Sequence, residues 1–261
     1  DIHINPPENP VGFQIGNSNS LQLTGNEGMT GVLIEDPETF YEIVNETYDG
    51  PISDDDPVIT SGKEEVNYTR QISALSVNYA NVINEASLNG INTENYANNI
   101  PGKYLKIIAK LISGGMFSPF FLVHQGGFDN HSNQLNNHST LLERLSSGIS
   151  TFIQDLQNQG LAQDVLVVTT SEFGRRTYEN GALGTDHGGA APQIVAGTNI
   201  NGSIFGNDPD LDNLIDGDNL IYSIDYRQIY ATLIKDWFGY SEDIVNTVFN
   251  NQYDTLDFIN L

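Results

Sequence analysis

Apolar residues recur along this chain with two different spacings, and the switches between them outline its elements. Residues 1–35 carry Pro, Gly and short alternating apolar pairs (Phe13 and Ile15, Leu21 and Leu23, Val32 and Ile34), which predicts irregular chain with short strands. Helical spacing predicts helices over 37–48 and 64–88, with a polar loop from Pro51 to Pro57 holding Asp54, Asp55 and Asp56 between them. A third helix is expected to begin at Pro101, a favoured first-turn residue, and to run to Ile112 before Gly114 and Gly115.

The pattern then tightens. Phe120, Phe121, Leu122 and Val123 form a continuous apolar run, as expected for a strand buried on both faces. Leu141, Leu142, Leu145, Ile149, Phe152, Ile153 and Leu156 predict an amphipathic helix over 136–158, ended by Gly160. Val165 to Val168 then make a second buried strand. Strand, helix and strand in this order predict a right-handed βαβ unit in a parallel sheet. A short strand is expected over 193–196, loop over 199–220, and a closing helix over 225–238 with Ile229, Leu233, Ile234 and Trp237 inward. Neither an internal repeat nor an interdomain linker is evident. The chain therefore reads as one portion of an α/β domain over 1–261, with residues 1–60 irregular and 61–261 forming the core.

Composition narrows the classes of function. A length of 261 residues suffices for one substantial core, and 12 Tyr and 12 Phe offset a hydrophobic content of only 38%. A net charge of −24 argues against nucleic acid or an anionic membrane as partner and favours solubility in salty surroundings. The absence of cysteine excludes disulfides, thiolate metal sites and cysteine nucleophiles. No stretch has the length of a membrane-spanning helix. The first residue is Asp1 and not Met, so a processed or truncated chain is expected, with any export signal upstream.

Candidate chemistry concentrates in two polar, glycine-rich stretches, GFDNHSNQ at 127–134 and SEFGRRTYENGALGTDHGGAAP at 171–192. Each follows the carboxyl end of a predicted strand, the edge at which open α/β sheets bind ligands. Asp129, His131, Glu172, Asp186 and His187 supply the carboxylates and imidazoles that hold hard and borderline divalent ions, with Asp186 either a ligand or a partner orienting an imidazole. The plain alternative is that Asp129 caps the following helix and the Gly-Thr-Asp-His turn is structural. Arg175 and Arg176 are two of only ten basic residues, and the arginine fork suits a phosphate or sulfate oxyanion; Arg175 is the candidate catalytic cation.

Other constellations are weaker. Ser171 with His187 and Asp186 lacks the Gly-x-Ser-x-Gly elbow of a serine hydrolase. The acidic run at 207–219 holds Asp208, Asp210 and Asp212 but lacks the glycine that an EF-hand calcium loop requires at its sixth position. His3, His124 and His138 read as structural.

The text GFDNHSNQ, TTSEFGRRTYENGALGTDHGGAAP and DYRQIYATLIKDWFG, with FQIGNSNSL at 13–21, resembles the exported bacterial proteins grouped as domain of unknown function 1501, related to alkaline phosphatases and sulfatases. The resemblance spans the chain but only the later part of the family's domain. It implies a doubly wound, mostly parallel α/β sheet with helices on both faces, holding one or two divalent ions (Zn, Ca, Mg or Mn) at its strand ends. By motif, Asp129 and His131 match a ligand pair, Glu172 and Phe173 the position of an Asp-His pair, and His187 the final ligand histidine. Phe173 cannot coordinate a metal, and the family's nucleophile strand falls ahead of residue 1.

Two functions are therefore expected as alternatives. The first is metal-dependent hydrolysis of phosphate or sulfate esters, with this chain as the carboxyl-terminal part of the domain and an amino-terminal fragment as possible partner. The second is a non-catalytic binding or assembly component of the cell envelope with a degenerate metal site. Either implies an exported protein, periplasmic, surface-bound or secreted.

Overall fold

The computed structural model describes residues 9–16, 21–25, 28–29, 31–47 and 63–261. The loop expected at 51–57 and His3 lie outside the described residues. Among the described residues the chain is mixed α/β, with one small parallel sheet and six α-helices. It divides into two compact units, residues 1–126 with 144–159, and residues 127–143 with 160–261.

The first unit is built on the parallel sheet. Strand β1 (Gly12–Ile15) is central, flanked by β4 (Gly31–Ile34) and β5 (Phe120–Val123); β2 (Thr24–Gly25) and β3 (Gly28–Met29) form a separate antiparallel pair. The register aligns Phe13 with Val32 on one side and with Phe121 on the other. Central placement explains why all four residues of β1 are buried. It also corrects the expectation for 120–123. Among the described residues β5 is an edge strand beside β1 and is partly exposed, Phe120 retaining 49% of its surface.

Helices α1 (Pro37–Thr47), α2 (Lys63–Asn89) and α3 (Gly102–Ser113) fall within one or two residues of their predicted bounds. The α3 helix is strongly amphipathic and buries Tyr104, Leu105, Ile108, Ala109 and Leu111; Pro101 sits at its N-cap, and Gly115 leaves it with φ 94°. Helix α4 (Gln134–Asn158) starts two residues earlier than expected, and Gly160 with φ 71° follows its end. Residues 144–158 of α4 belong to the first unit, where Ile149, Phe152 and Leu156 are buried beside Asp155.

Asp155 is fully buried and has five described donors. Oδ1 accepts from the Thr93 amide, the Thr93 hydroxyl and Gln159 Nε2, each at 2.8 Å, and Oδ2 from Asn92 Nδ2 at 3.0 Å and the Tyr96 hydroxyl at 2.9 Å. Burial alone pushes this carboxyl up; the bonds from Thr93, Asn92 and Tyr96 outweigh it and hold the group below its ordinary range. Burial raises the Tyr96 phenol above its ordinary value, and its bond to Asp155 and the charges of Asp155 and Glu94 push it further. A buried charge thus fastens the segment 92–96 to the helix.

The second unit has short ladders in place of a broad sheet. Strand β6 (Val167–Val168) pairs antiparallel with β9 (Val195–Ala196), and β7 (Gly174–Arg175) pairs antiparallel with β8 (His187–Gly188). The described ladders therefore do not contain the parallel βαβ unit expected from strands 120–123 and 165–168. Thr169 extends the β6–β9 contact, its amide donating to Ile194 O and its hydroxyl accepting from the Ile194 amide, both at 2.9 Å. That reciprocal bonding favours the antiparallel partner.

Downstream, the helix expected over 225–238 begins as α5 (Tyr226–Thr232), with Asp225 and Gln228 forming a capping box. It then widens into a π-helical turn, Leu233–Trp237, and buries Ala231 and Thr232 more deeply than the expected apolar positions. Helix α6 (Glu242–Phe249), which the apolar pattern did not single out, buries Val245. Among the described residues no helix is long and apolar enough to cross a membrane.

Candidate metal centre

Two stretches of the second unit converge. The loop 127–133 is shaped by Asn130, whose buried side chain donates to Gly127 O at 2.8 Å and accepts from Asn137 Nδ2 at 3.4 Å. The turn at 180–184 is organised by Asn180, whose Oδ1 accepts from the amides of Ala182 at 2.9 Å and Gly184 at 3.1 Å. These two pieces are zipped together: the Asn133 amide donates to Ala182 O at 3.1 Å and the Gln134 amide to Leu183 O at 2.9 Å. Gly184 allows the approach, because a Cβ there would stand 2.2 Å from the His131 carbonyl carbon.

The β7–β8 ladder then places His187 opposite Arg175. Asp129 Oδ1 lies 2.7 Å from His187 Nε2 and 2.9 Å from His131 Nε2, and the two Nε2 atoms are 3.2 Å apart. These three atoms define a circle of about 1.7 Å radius, so an ion about 2.0–2.2 Å from each would stand roughly 1.0–1.4 Å off their plane. The donor set thus fits a single divalent ion held from one side, with its other side open. The three side chains are 44–61% exposed, which leaves that side accessible.

Asp186 stands behind His131, its Oδ1 3.4 Å from Nδ1. A carboxylate there favours a proton on Nδ1 and leaves the Nε2 lone pair facing the other donors. Asn180 Nδ2 donates to Asp186 Oδ1 at 3.4 Å and to His131 O at 3.0 Å. Both carboxyls are held below their ordinary range. For Asp129 the hydrogen bond from His187 leads, opposed by desolvation and reinforced by the charges of His131, His187 and Arg175. For Asp186 the bonds from Asn180 and His131 lead, aided by Arg176. Both sites are anionic before any ion arrives.

Of the five residues expected as ligands, the fold brings Asp129, His131 and His187 into one group and puts Asp186 in support. Glu172 is exposed and does not join that group among the described residues. Asp129 faces the two imidazoles, a different role from capping α4. Arg175 is near the centre, its Nη2 3.7 Å from Asp129 Oδ1, but its fork is occupied: Nη1 donates to Thr185 O at 2.5 Å and Nη2 to Phe128 O. Phe173 lies flat on His187 with ring centroids 3.7 Å apart and planes 6° off parallel; Arg175 sits over its ring at 5.0 Å.

The alternatives also resolve. Ser171 Oγ donates to Phe173 O at 2.9 Å, away from a triad arrangement. His138 meets Gln134 at 3.2 Å and stands edge-on to Phe128, as expected of a structural histidine. Asp210 Oδ1 accepts from the Asp212 amide at 3.0 Å, a local turn within the acidic run. Asn180 escaped the sequence reading. Its signal was available in retrospect: Asn before Gly181 in a turn is a residue type that bonds its own downstream amides.

Residues 110–239 match the model of the family described as protein of unknown function DUF1501, which supports the resemblance carried by the motifs; that span contains the whole centre. No curated protein and no solved structure matches the chain.

Proposed function

We propose that this chain carries the divalent-metal centre of a protein acting on phosphate or sulfate esters. The observation that carries this reading is the meeting of Asp129 Oδ1, His131 Nε2 and His187 Nε2 within 3.2 Å, with Asp186 behind His131. Asp129, His131 and His187 are the ligands. A bound divalent ion would supply Lewis acidity toward an ester oxygen and lower the pKa of the attacking group. Asp186 sets the His131 tautomer, and Asn180 holds both Asp186 and the His131 main chain. Arg175 contributes charge beside Asp129 while its N–H groups keep the two ligand-bearing loops together. On this reading the domain is of the doubly wound alkaline phosphatase type and the protein is exported.

A second reading, a non-catalytic envelope component that retains a reduced metal site, is favoured by Phe173. An aromatic ring fills the place of a ligand and packs against His187.

Protein purified without chelator is expected to hold about one divalent ion per chain, lost in Asp129→Ala and His187→Ala. Saturating Zn²⁺ is expected to raise the melting temperature of wild type alone, since ligand at about 100 times Kd adds about 2.7 kcal/mol of stability. Absence of both effects overturns the metal centre. A metal-loaded protein that cleaves neither an aryl phosphate nor an aryl sulfate selects the second reading.

A further inference from the structure

Given the metal centre proposed above, we infer that the turn Ile215–Asn219 is a brace acting through Asp218 and Arg176 to set the position of His187, and with it the metal affinity of the site. The turn is self-contained. Ile215 and Asn219 exchange main-chain bonds at 2.8 and 2.9 Å, and Asp216 and Gly217 between them have φ 53° and 83°. Two successive positive φ values over Asp-Gly make the tight, stiff hairpin turn that this dipeptide favours.

The turn grips the β7–β8 hairpin from both sides. Asp218 O accepts from the Thr177 amide at 2.9 Å and the Thr177 hydroxyl at 3.1 Å, just beyond β7. Asn219 Oδ1 accepts from the Gly189 amide at 2.8 Å, just beyond β8. Between these points the Asp218 carboxylate pairs with Arg176 Nη1, and Arg176 Nε donates to His187 O at 3.2 Å. Both members of the pair keep only 31% of their side-chain surface, so the bond is partly shielded from water and more directional than an exposed ion pair.

The chain of contacts therefore ends on the main chain of a ligand histidine. Arg176 is a positioning residue, committed to His187 and Asp218 and not offered to an anion. Asp218 holds Arg176 in place, which gives the end of the acidic stretch 207–219 a role other than calcium binding. Metal ligands tolerate only about 0.2 Å of displacement, and loss of the partners that orient them costs about 10–100-fold in affinity.

The test uses Co²⁺ alone as probe, with the whole 261-residue chain. Asp218→Asn keeps shape and an acceptor but removes the charge; Arg176→Lys keeps the charge but has no Nε to reach His187 O. Both are expected to bind Co²⁺ about 10–100-fold more weakly than wild type with an altered visible absorption band. Metal-free melting is expected to move by no more than about 4 °C, as befits a single partly exposed pair. Folded variants with wild-type affinity and spectrum overturn the brace and leave the centre standing. So does weakening matched by an equal loss of metal-free stability, since the pair would then be structural only. Wild-type protein that takes up no Co²⁺ removes the metal centre and the brace together. Should Asp218→Asn fail to fold, Arg176→Lys decides.

Discussion

A methyl group at residue 184 should separate the donors of the candidate metal centre by pressing on the His131 main chain, without touching a donor atom. In Gly184→Ala the new Cβ would lie 2.2 Å from the His131 carbonyl carbon, 2.4 Å from its oxygen and 2.6 Å from the Ser132 nitrogen. The first of these is about 1.3 Å short of the roughly 3.5 Å at which carbon atoms rest in contact. All three obstacles are main chain, so no side-chain rotation relieves them. The segments are also tied together by the Asn133 and Gln134 amides and by Asn180, which limits sharing of the shift. Carried through to the ring, a retreat of this size takes the His131–His187 nitrogen separation from 3.2 Å to about 4.5 Å. Two imidazoles can span at most roughly 4.2 Å across one zinc-sized ion. The expected result is at least about a 100-fold loss of Co²⁺ or Zn²⁺ affinity, with a stability cost of about 1–3 kcal/mol from overpacking. Calorimetric titration would measure the first and urea unfolding the second. A folded Gly184→Ala protein that binds metal as wild type does, with an unchanged Co²⁺ spectrum, would refute the convergence of these two loops.

Asp155→Asn is expected to cost about 3–5 kcal/mol in urea unfolding, because an amide turns donors toward Asn92 or Thr93 and removes a buried, multiply bonded charge. Because the folded carboxyl titrates below its ordinary value of 3.8, its contribution is complete above that value and is lost as pH falls through the lower folded one. Wild-type stability should therefore drop more steeply than that of Asp155→Asn below about pH 4. Phe173→Ala removes a stacked ring and a cation–π contact; it should cost about 1–2 kcal/mol in unfolding free energy while changing Co²⁺ affinity less than His187→Ala does. Equal loss of metal in the two variants would mean that the ring and the imidazole act as one unit.

Local order was legible in the chain because its causes are local. The 3.6-residue spacing around Phe152 and Leu156 and the glycine at 160 outline α4 with no knowledge of its neighbours. The same holds for α3 between Pro101 and Gly114. Pairing was less legible. The partner of Phe121 is Phe13, far away in the chain, and an apolar run carries no record of which strand lies beside it. Val167 and Val168 looked like part of a parallel unit, but the residues that direct them to β9 are Thr169 and Ile194, whose mutual bonds appear only once the chain has folded.

The candidate site divides along the same line. Glycine-rich stretches with clustered carboxylates and imidazoles reveal their chemistry by residue type, so Asp129, His131, Asp186 and His187 could be named from sequence alone. Which of them lie close enough to share an ion is a matter of distances. Asp129 and His187 meet across 58 positions, while Glu172 is left in solvent and the fork of Arg175 is spent on carbonyls. Residue type sets what a side chain is able to bind. Only the close approach of main chains at Gly184 and the bracing of the hairpin by Asn180, Arg176 and Asp218 select three donors and aim them at one point.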